Sequence, residues 1–508
     1  MGGGLARRLF VMTEIIVLGR NENMFHQDAH DSSQRNSPRG IRQALHPPTC
    51  ILQISRSYWP FPWIIWEIHT NKLQALIYKL NKLKTEGGRI GVGVIGCGAM
   101  GVGVAYQCAR TPAMDLVFVA DVDETAAQRA ITATGKKPLR ITDPASLPAR
   151  VAFEETYLIV GPTEFILEAL KNSDINAMAE CSNRVYEAYL YCEAAIANKA
   201  HVILMNAEVD LILGTSLAHQ AKKQGVVITS DAGDQHGVLA TMADEIMLWG
   251  FKIVQAGNMK GFLNRTGNSD SSRVWAEKQK LSLVQTVSYT DGTKMNIEQA
   301  LIGNYLGLTP TKPGMEGPKC GDIREVLEKF DFDKYNGEGR VDYTVGVPWP
   351  GGGVYIVGES HDDQQHFLLD YYKVAHKRPY YLFFRPYHLC HLETPRAIAQ
   401  AYFDARPVIA PPLGRKTNDV YAYAKTDLAP GTVIHHAIGG DEIYGLVNAT
   451  AKAEADQNVP IAWFESLEGK YATVNVTKKQ DQPLRWADVT IPDTKFHRLL
   501  KEQQELIG

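Results

Sequence analysis

The chain has no excess of charge of either sign. Its 53 lysines and arginines face 56 aspartates and glutamates, a net of −3 over 508 residues. That balance sets aside a nucleic-acid partner, which needs a basic field. No apolar run approaches the ~18 residues of a membrane-spanning helix, so no membrane partner is expected either. Cysteine is sparse and without zinc-site spacing: seven residues, an odd number, with Cys97, Cys108, Cys181, Cys192, Cys320 and Cys390 in apolar segments and Cys50 apart from them. Such usage reads as reduced thiols of a cytoplasmic protein. Arg7-Arg8 precedes Leu9-Phe10-Val11-Met12, yet Glu14 interrupts the stretch and no small-residue cleavage site follows, so a secretory signal is not expected. An organelle transit peptide stays open. What remains is globular composition, 45% apolar and 21% charged, with length for two or three domains.

The densest signal lies between Arg89 and Glu124. An apolar strand, Arg89 to Ile95, runs into Gly96-Cys97-Gly98-Ala99-Met100-Gly101 and then a helical pattern. This is the Rossmann fingerprint in context: the first glycine permits a tight turn, the second lets backbone approach a pyrophosphate, and the third lets helix and strand pack closely. The pyrophosphate would rest on the helix N-terminus, where free N–H groups and the dipole converge. A second strand, Leu116 to Ala120, ends in Asp121, placed to accept hydrogen bonds from an adenosine ribose. A carboxylate there favours a free 2′-hydroxyl over a 2′-phosphate, which points to NAD. NADP stays open through Arg129 or Lys136.

Residues 1–68 differ from the rest, polar and turn-rich from Asn21 to Arg42 and aromatic from Tyr58 to Trp66, and are expected to be a partly disordered extension. Residues 69–237 alternate strand and helix: a helix from Asn71, a helix over Glu124 to Thr134, a proline-bearing insertion, and strands at Ile175 to Cys181, His201 to Met205 and Val226 to Thr229. That order predicts an α/β fold with a doubly wound parallel sheet, whose ligands bind beyond the carboxyl ends of the strands. From Val238 to residue 405 the texture is that of an α+β substrate domain: a helix to Trp249, a strand through Ala256, a loop carrying Lys260, an alternating stretch from Leu281 to Ser288 and a hairpin turn at Asp291-Gly292. Residues 406–508 open with a proline-rich linker, Pro407 to Lys416, and read as a small β-rich module closed by a charged helix from Thr494 to Leu506.

Gly96 to Gly101, Asn206-Ala207-Glu208-Val209-Asp210, Ala232-Gly233-Asp234, Arg385-Pro386-Tyr387-His388-Leu389 and Leu392-Glu393-Thr394-Pro395, in that order, resemble the homoserine-dehydrogenase-like oxidoreductases with a C-terminal SAF domain, in particular the deoxyxylulose phosphate reductoisomerase-like enzymes. The resemblance runs from Gly88 to the C-terminus, and Asp427 to Ile434 resembles the opening of the SAF module. It implies a reductase of a small polar carbonyl compound, sugar-derived or phosphorylated. Two departures stand out. The reductoisomerase-like branch uses NADPH, which Asp121 suits poorly, and homoserine dehydrogenases place a catalytic lysine after the asparagine where this chain has Ala207.

Hydride transfer to a carbonyl needs a proton donor at the developing alkoxide and groups that orient the substrate. Lys260 is the candidate donor, set against a solvated loop lysine. Glu208 and Asp234, at the ends of successive strands, would bind substrate hydroxyls, couple to Lys260 or ligate a divalent cation; helix capping is the competing account. Asn206 and Ser182 would contact the nicotinamide side of the cofactor. Arg385, Tyr387 and His388 suit a phosphate or carboxylate, or else a buried structural network, and Lys319 is a further anion contact. His236 and His391 read as satisfied core or interface residues, Cys181 as structural, and His435-His436 as a surface pair. The expectation is an NAD(P)-dependent oxidoreductase acting on CH–OH/C=O, in an even-numbered homo-oligomer. Two alternatives are a metal-assisted reductoisomerase and a non-catalytic NAD-responsive binding protein.

Overall fold

In a computed structural model, residues 75–147, 152–279, 281–349 and 351–507 are described; the N-terminal extension expected over residues 1–68 lies outside them. The first elements follow local rules closely. Helix α1 (Leu76–Thr85) leads to strand β1 (Ile90–Ile95), all six of whose residues are buried, as a central parallel strand covered on both faces requires. Next come α2 (Ala99–Arg110), β2 (Met114–Asp121) and α3 (Glu124–Thr134). Asp123 accepts the Thr125 N–H to start α3, and Gly135, at φ 77°, ends it. Strands β3 (Lys137–Arg140) and β4 (Glu155–Val160) precede α4 (Thr163–Lys171), β5 (Ala177–Glu180), α5 (Val185–Ala197) and β6 (His201–Leu204). Helix α6 (Ala207–Gln224), capped by Asn206, β7 (Ile228–Ser230) and α7 (Gln235–Leu248), capped by Asp234, complete the first lobe.

Seven strands in the order β3-β4-β2-β1-β5-β6-β7, each neighbouring pair parallel, form the main sheet. The chain fills one side of β1 first, with β2, the edge strand β3, and then β4 between them, and afterwards runs outward from β5 on the other, so the order reverses between β1 and β5. This is the expected doubly wound α/β sheet, and its switch point is where ligands of such sheets bind.

The second lobe holds β8 (Lys252–Lys260), α8 (Ser269–Gln279), α9 (Leu283–Thr290), α10 (Thr293–Leu306), the single turn α11 (Val326–Lys329), β9 (Arg340–Val345), β10 (Gly352–Glu359), α12 (Asp363–Tyr371), β11 (His376–Lys377) and β12 (Tyr380–Arg385). Its five strands form a mixed sheet, β11-β12-β10-β8-β9. Three local expectations fail here. Leu281 to Ser288 is not a strand: Leu283, Val284 and Val287 recur at helical spacing, and Ser282 Oγ caps α9 by accepting the Gln285 N–H at 3.1 Å. Asp291-Gly292 is not a hairpin turn; Gly292, at φ 85°, is the N-cap of α10. Lys260 lies at the end of β8 rather than on a loop. The change of texture at Val238 falls inside α7.

Helix α13 (Cys390–Asp404) returns to the first lobe and packs on α2 so tightly that a Cβ at Gly103 would sit 2.5 Å from the His391 ring. The remainder comprises β13 (Asn418–Ala424), β14 (Val433–Ile434), β15 (Ile443–Ala449), α14 (Thr450–Ala455), β16 (Ala472–Val474), β17 (Val489–Thr490) and α15 (Lys495–Ile507). It is β-rich, as expected, with antiparallel β13–β15 and β14-β16-β17 sheets. It is also firmly attached: β13 and β15 pack on α10, and Gln503 of α15 donates to Ile212 O and accepts from Ser216 N on α6. One apolar core runs through both lobes and this module, and a second lies around α2, β1, β2 and α13.

Candidate active site

The glycine turn has the shape its three glycines were expected to impose. Gly96 sits at φ 86°, and a Cβ there would come within 2.5 Å of the Ser182 backbone nitrogen. At Gly101 a Cβ would lie 1.8 Å from Gly96 O, so α2 approaches the turn as only glycine allows. Around Gly98 there is open space. Gly98 is the N-cap of α2 and offers no side-chain bond to its first turn, which leaves the amides of Ala99, Met100 and Gly101 for an anion. Gly96, Gly98 and Ala99 line a crevice of about 620 Å³ with Asp121, Arg129, Cys181, Ser182, Arg184 and, at the start of α9, Ser282 and Gln285.

Asp121 accepts the Cys97 N–H at 2.6 Å and the Asp123 N–H at 2.9 Å, so its carboxylate is fixed at the lip of the crevice. Of the two cations weighed against it, Arg129 lines the crevice and donates to Cys97 O at 3.3 Å. Lys136 is held elsewhere by Asp115 at 3.1 Å and the Phe153 ring.

At the carboxyl ends of β6, β7 and β8 a set of charges assembles, buried at Asp234 and Glu298 and partly buried at Lys260, Lys294 and Glu208. Lys260 Nζ donates to Gln235 Oε1 at 3.2 Å, and Lys294, on the first turn of α10, lies 3.6 Å from Glu208 and over the Tyr289 ring at 5.8 Å. Burial draws the Lys260 ammonium below its usual range against the opposing pull of Glu298. On Lys294 burial acts in the same sense, but Glu208 and Tyr289 outweigh it and the group is held well above the ordinary range. Burial, reinforced by Asp234, raises the Glu298 carboxyl to about 8. Burial also pushes Asp234 upward, yet Lys294 overrides it and its carboxyl stays below the usual range. The cluster thus holds a positive lysine, a lysine with eased deprotonation and a carboxylic acid neutral at pH 7, the mixture that proton transfer uses. Helix α9 links it to the crevice, with Ser282 and Gln285 at one end and Tyr289 over Lys294 at the other.

The remaining expected residues fall as follows. Asn206 Oδ1 accepts the Val209 N–H at 3.1 Å and Asp234 Oδ1 the Gln235 N–H at 2.9 Å, so both cap helices, and Ser182 lines the crevice. Glu208 and Asp234 do not form the carboxylate pair expected to share a cation, because Glu208 turns to Lys294 while Asp234 faces His388 and Cys390. Arg385 is not a free fork for an anion: Glu393 takes both of its terminal nitrogens, at 2.7 and 3.1 Å, and Tyr387 stacks beneath it at 4.7 Å. Lys319 is exposed, its backbone bridged to Val345, and does not line the crevice. His391 is an interface residue, as expected. His236 is 1% exposed with neither ring nitrogen partnered, so it is buried but not satisfied; burial lowers its pKa to about 4 and keeps it neutral.

Sequence reasoning missed Lys294, Glu298 and Tyr289 because their segment was read as strand and hairpin. Read as a helix starting after Asp291-Gly292, the spacing of Lys294 and Glu298 puts both on one face. Buried Glu180 and Asp231 were passed over as well; burial raises each to about 7.

Residues 233–394 match the family described as oxidoreductase DRL, catalytic domain. That stretch contains Asp234, Lys260, Lys294, Glu298, His388 and Cys390. A search of curated proteins gives no match. Among solved structures, an NAD-binding oxidoreductase from Klebsiella pneumoniae is 22% identical over 34% of this chain, with TM-score 0.26, and the chain spans only 44% of its length. A probable dehydrogenase from Thermotoga maritima is 14% identical over 63% of this chain and 90% of its own, with TM-score 0.36. A putative myo-inositol dehydrogenase from Sinorhizobium meliloti is 11% identical over 62% and 90%, with TM-score 0.35. From the start of α7 into α13 the chain is thus similar, at this coarse level, to an oxidoreductase catalytic domain.

Proposed function

We propose that the protein is an NAD(P)-dependent oxidoreductase that moves a hydride between the nicotinamide and the carbonyl or hydroxyl carbon of a small polar substrate. The observation that carries this reading is the turn from Gly96 to Gly101 at the topological switch point, open at Gly98 and crowded at Gly96 and Gly101. Bound there, the cofactor supplies or accepts the hydride. The chain's residues do the rest. The free amides of Ala99, Met100 and Gly101 hold the diphosphate, and Asp121 takes the adenosine ribose, which favours NAD. Lys260, steadied by Gln235, gives a proton to the alkoxide as it forms, while Glu298 and Lys294 set its charge. Burial of the cluster excludes water and strengthens each of these interactions.

The substrate is sugar-derived or phosphorylated in this proposal. With Arg385 bound to Glu393 and Lys319 exposed to solvent, its anion would be met by Lys294 instead. NADH and NADPH oxidation with sugar phosphates, keto sugars and aspartate semialdehyde, with and without magnesium or manganese, tests the reading. Lys260→Ala is expected to lower kcat by about 10²–10⁴ with the cofactor Kd unchanged. A Lys260→Ala enzyme with full activity would remove the proton-donor assignment.

A further inference from the structure

Three side chains from separate parts of the fold converge beside Lys260. Asp234 caps α7 after β7, His388 lies three residues beyond β12, and Cys390 opens α13. One ligand atom from each falls within 4.8 Å of the others. The Cys390 sulfur stands 3.8 Å from Asp234 Oδ1 and 3.6 Å from His388 Nδ1. In a tetrahedral zinc site, bonds of roughly 2.3 Å to sulfur and 2.0 Å to nitrogen or oxygen set those ligands about 3.5 Å apart. The two edges that meet at sulfur therefore already have nearly tetrahedral length, and the third, between Asp234 and His388, is within 4.8 Å. Beside the triad, Gln235 Nε2 lies 3.4 Å from His388 Nε2, and Gln235 Oε1 accepts from Lys260 Nζ at 3.2 Å, which places the amine next to the three ligands.

We propose that Asp234, His388 and Cys390 bind one zinc ion, with a fourth position left open beside Lys260. The Cys390 proton leaves to solvent when the thiolate forms. Sulfur and imidazole ligands select zinc over magnesium or manganese, which prefer all-oxygen sets. The role of the ion rests on the oxidoreductase reading above: the open position holds the substrate oxygen and polarises its carbonyl, with Lys260 as the proton source. The binding itself does not need that reading.

Full-length protein, stripped with a chelator and dialysed, is titrated with Zn²⁺ and with Co²⁺, and NADH binding is measured by calorimetry on the same preparations. One zinc per chain is expected, together with a thiolate-to-cobalt charge-transfer band. Both should be lost in Cys390→Ser, and zinc should be lost in His388→Gln, with NADH binding kept. Should either variant fail to fold, the cobalt spectrum of the unaltered protein still decides whether a thiolate is a ligand. Zinc that washes out of the unaltered protein, a cobalt spectrum without that band, or zinc held equally well by folded Cys390→Ser would overturn the proposal. Loss of NADH binding with zinc retained would instead count against the oxidoreductase reading and leave the metal site standing.

Discussion

Gly101 shows how narrowly a single residue can be constrained. A methyl group there would overlap Gly96 O, so Gly101→Ala must push α2 away from the turn. Isothermal calorimetry should then show an NAD Kd raised at least about tenfold, roughly 1.4 kcal/mol. Asp121 acts through charge rather than space. Replacing it by alanine removes the repulsion of a 2′-phosphate and leaves Arg129 on the crevice wall, so the kcat/KM ratio of NADPH to NADH should rise about tenfold; an unchanged ratio would refute the assignment of Asp121 to the ribose. Asp210 makes a statement about pH. Burial raises its carboxyl to about 7 even though Ser230 Oγ donates to it at 2.5 Å. Between the unfolded value near 4 and the folded value near 7 the native state keeps a proton that the unfolded chain gives up, so stability falls as pH rises through that window and levels off above it. Asp210→Asn should remove this slope. Its urea midpoint relative to the unaltered protein should rise from pH 4 to 7, by on the order of 2 kcal/mol in stability.

At the scale of elements, helix α10 joins the site to the C-terminal module. One face carries Lys294 and Glu298; the other is stitched to β15, with Thr293 Oγ1 accepting the Gly445 N–H and Asn296 Oδ1 the Val447 N–H, each at 2.9 Å. Just before it, Asp291 pairs at 2.8 Å with Lys425, which is fully buried and also donates to Gly267 O and Gly440 O. Lys425→Met leaves Asp291 buried without its partner, so chemical denaturation should show a loss of about 3–5 kcal/mol, partly recovered by adding Asp291→Asn. Because the start of α10 would shift, kcat should fall while the NAD Kd stays put; equal losses in both would make Lys425 a general stabiliser only. This element was also the hardest to read from sequence. Helix α3 was legible to the residue, since Asp123 and Gly135 punctuate it. At α9 and α10 the β-branched residues and the Asp-Gly pair carry the local preferences of strand and turn; packing of α10 against β13 and β15, and of α9 against α8 and α10, supports helix instead.

The whole molecule places its glycine turn where the sheet reverses. That much was readable in the sequence, because Gly96, Gly98, Gly101 and Asp121 answer to backbone geometry and sit on consecutive elements. The second half of the site was only partly readable. Asp234 follows a strand and Lys260 ends one, so both could be picked out by position. Arg385 could not be judged, because Glu393, which takes up its guanidinium, is on a different element, and Lys294, Glu298 and Cys390 reach the cluster only through long-range folding. Among the described residues no helix is long and apolar enough to cross a membrane. The central claim, that the turn from Gly96 to Gly101 holds the diphosphate of a nicotinamide cofactor, is tested most directly by calorimetry of the full-length protein with NADH and NADPH, alongside Gly101→Ala. The account predicts one site per chain, tighter for NADH and lost or strongly weakened in the variant. No heat of binding for either cofactor at millimolar concentration, or binding that Gly101→Ala leaves unchanged, would contradict it.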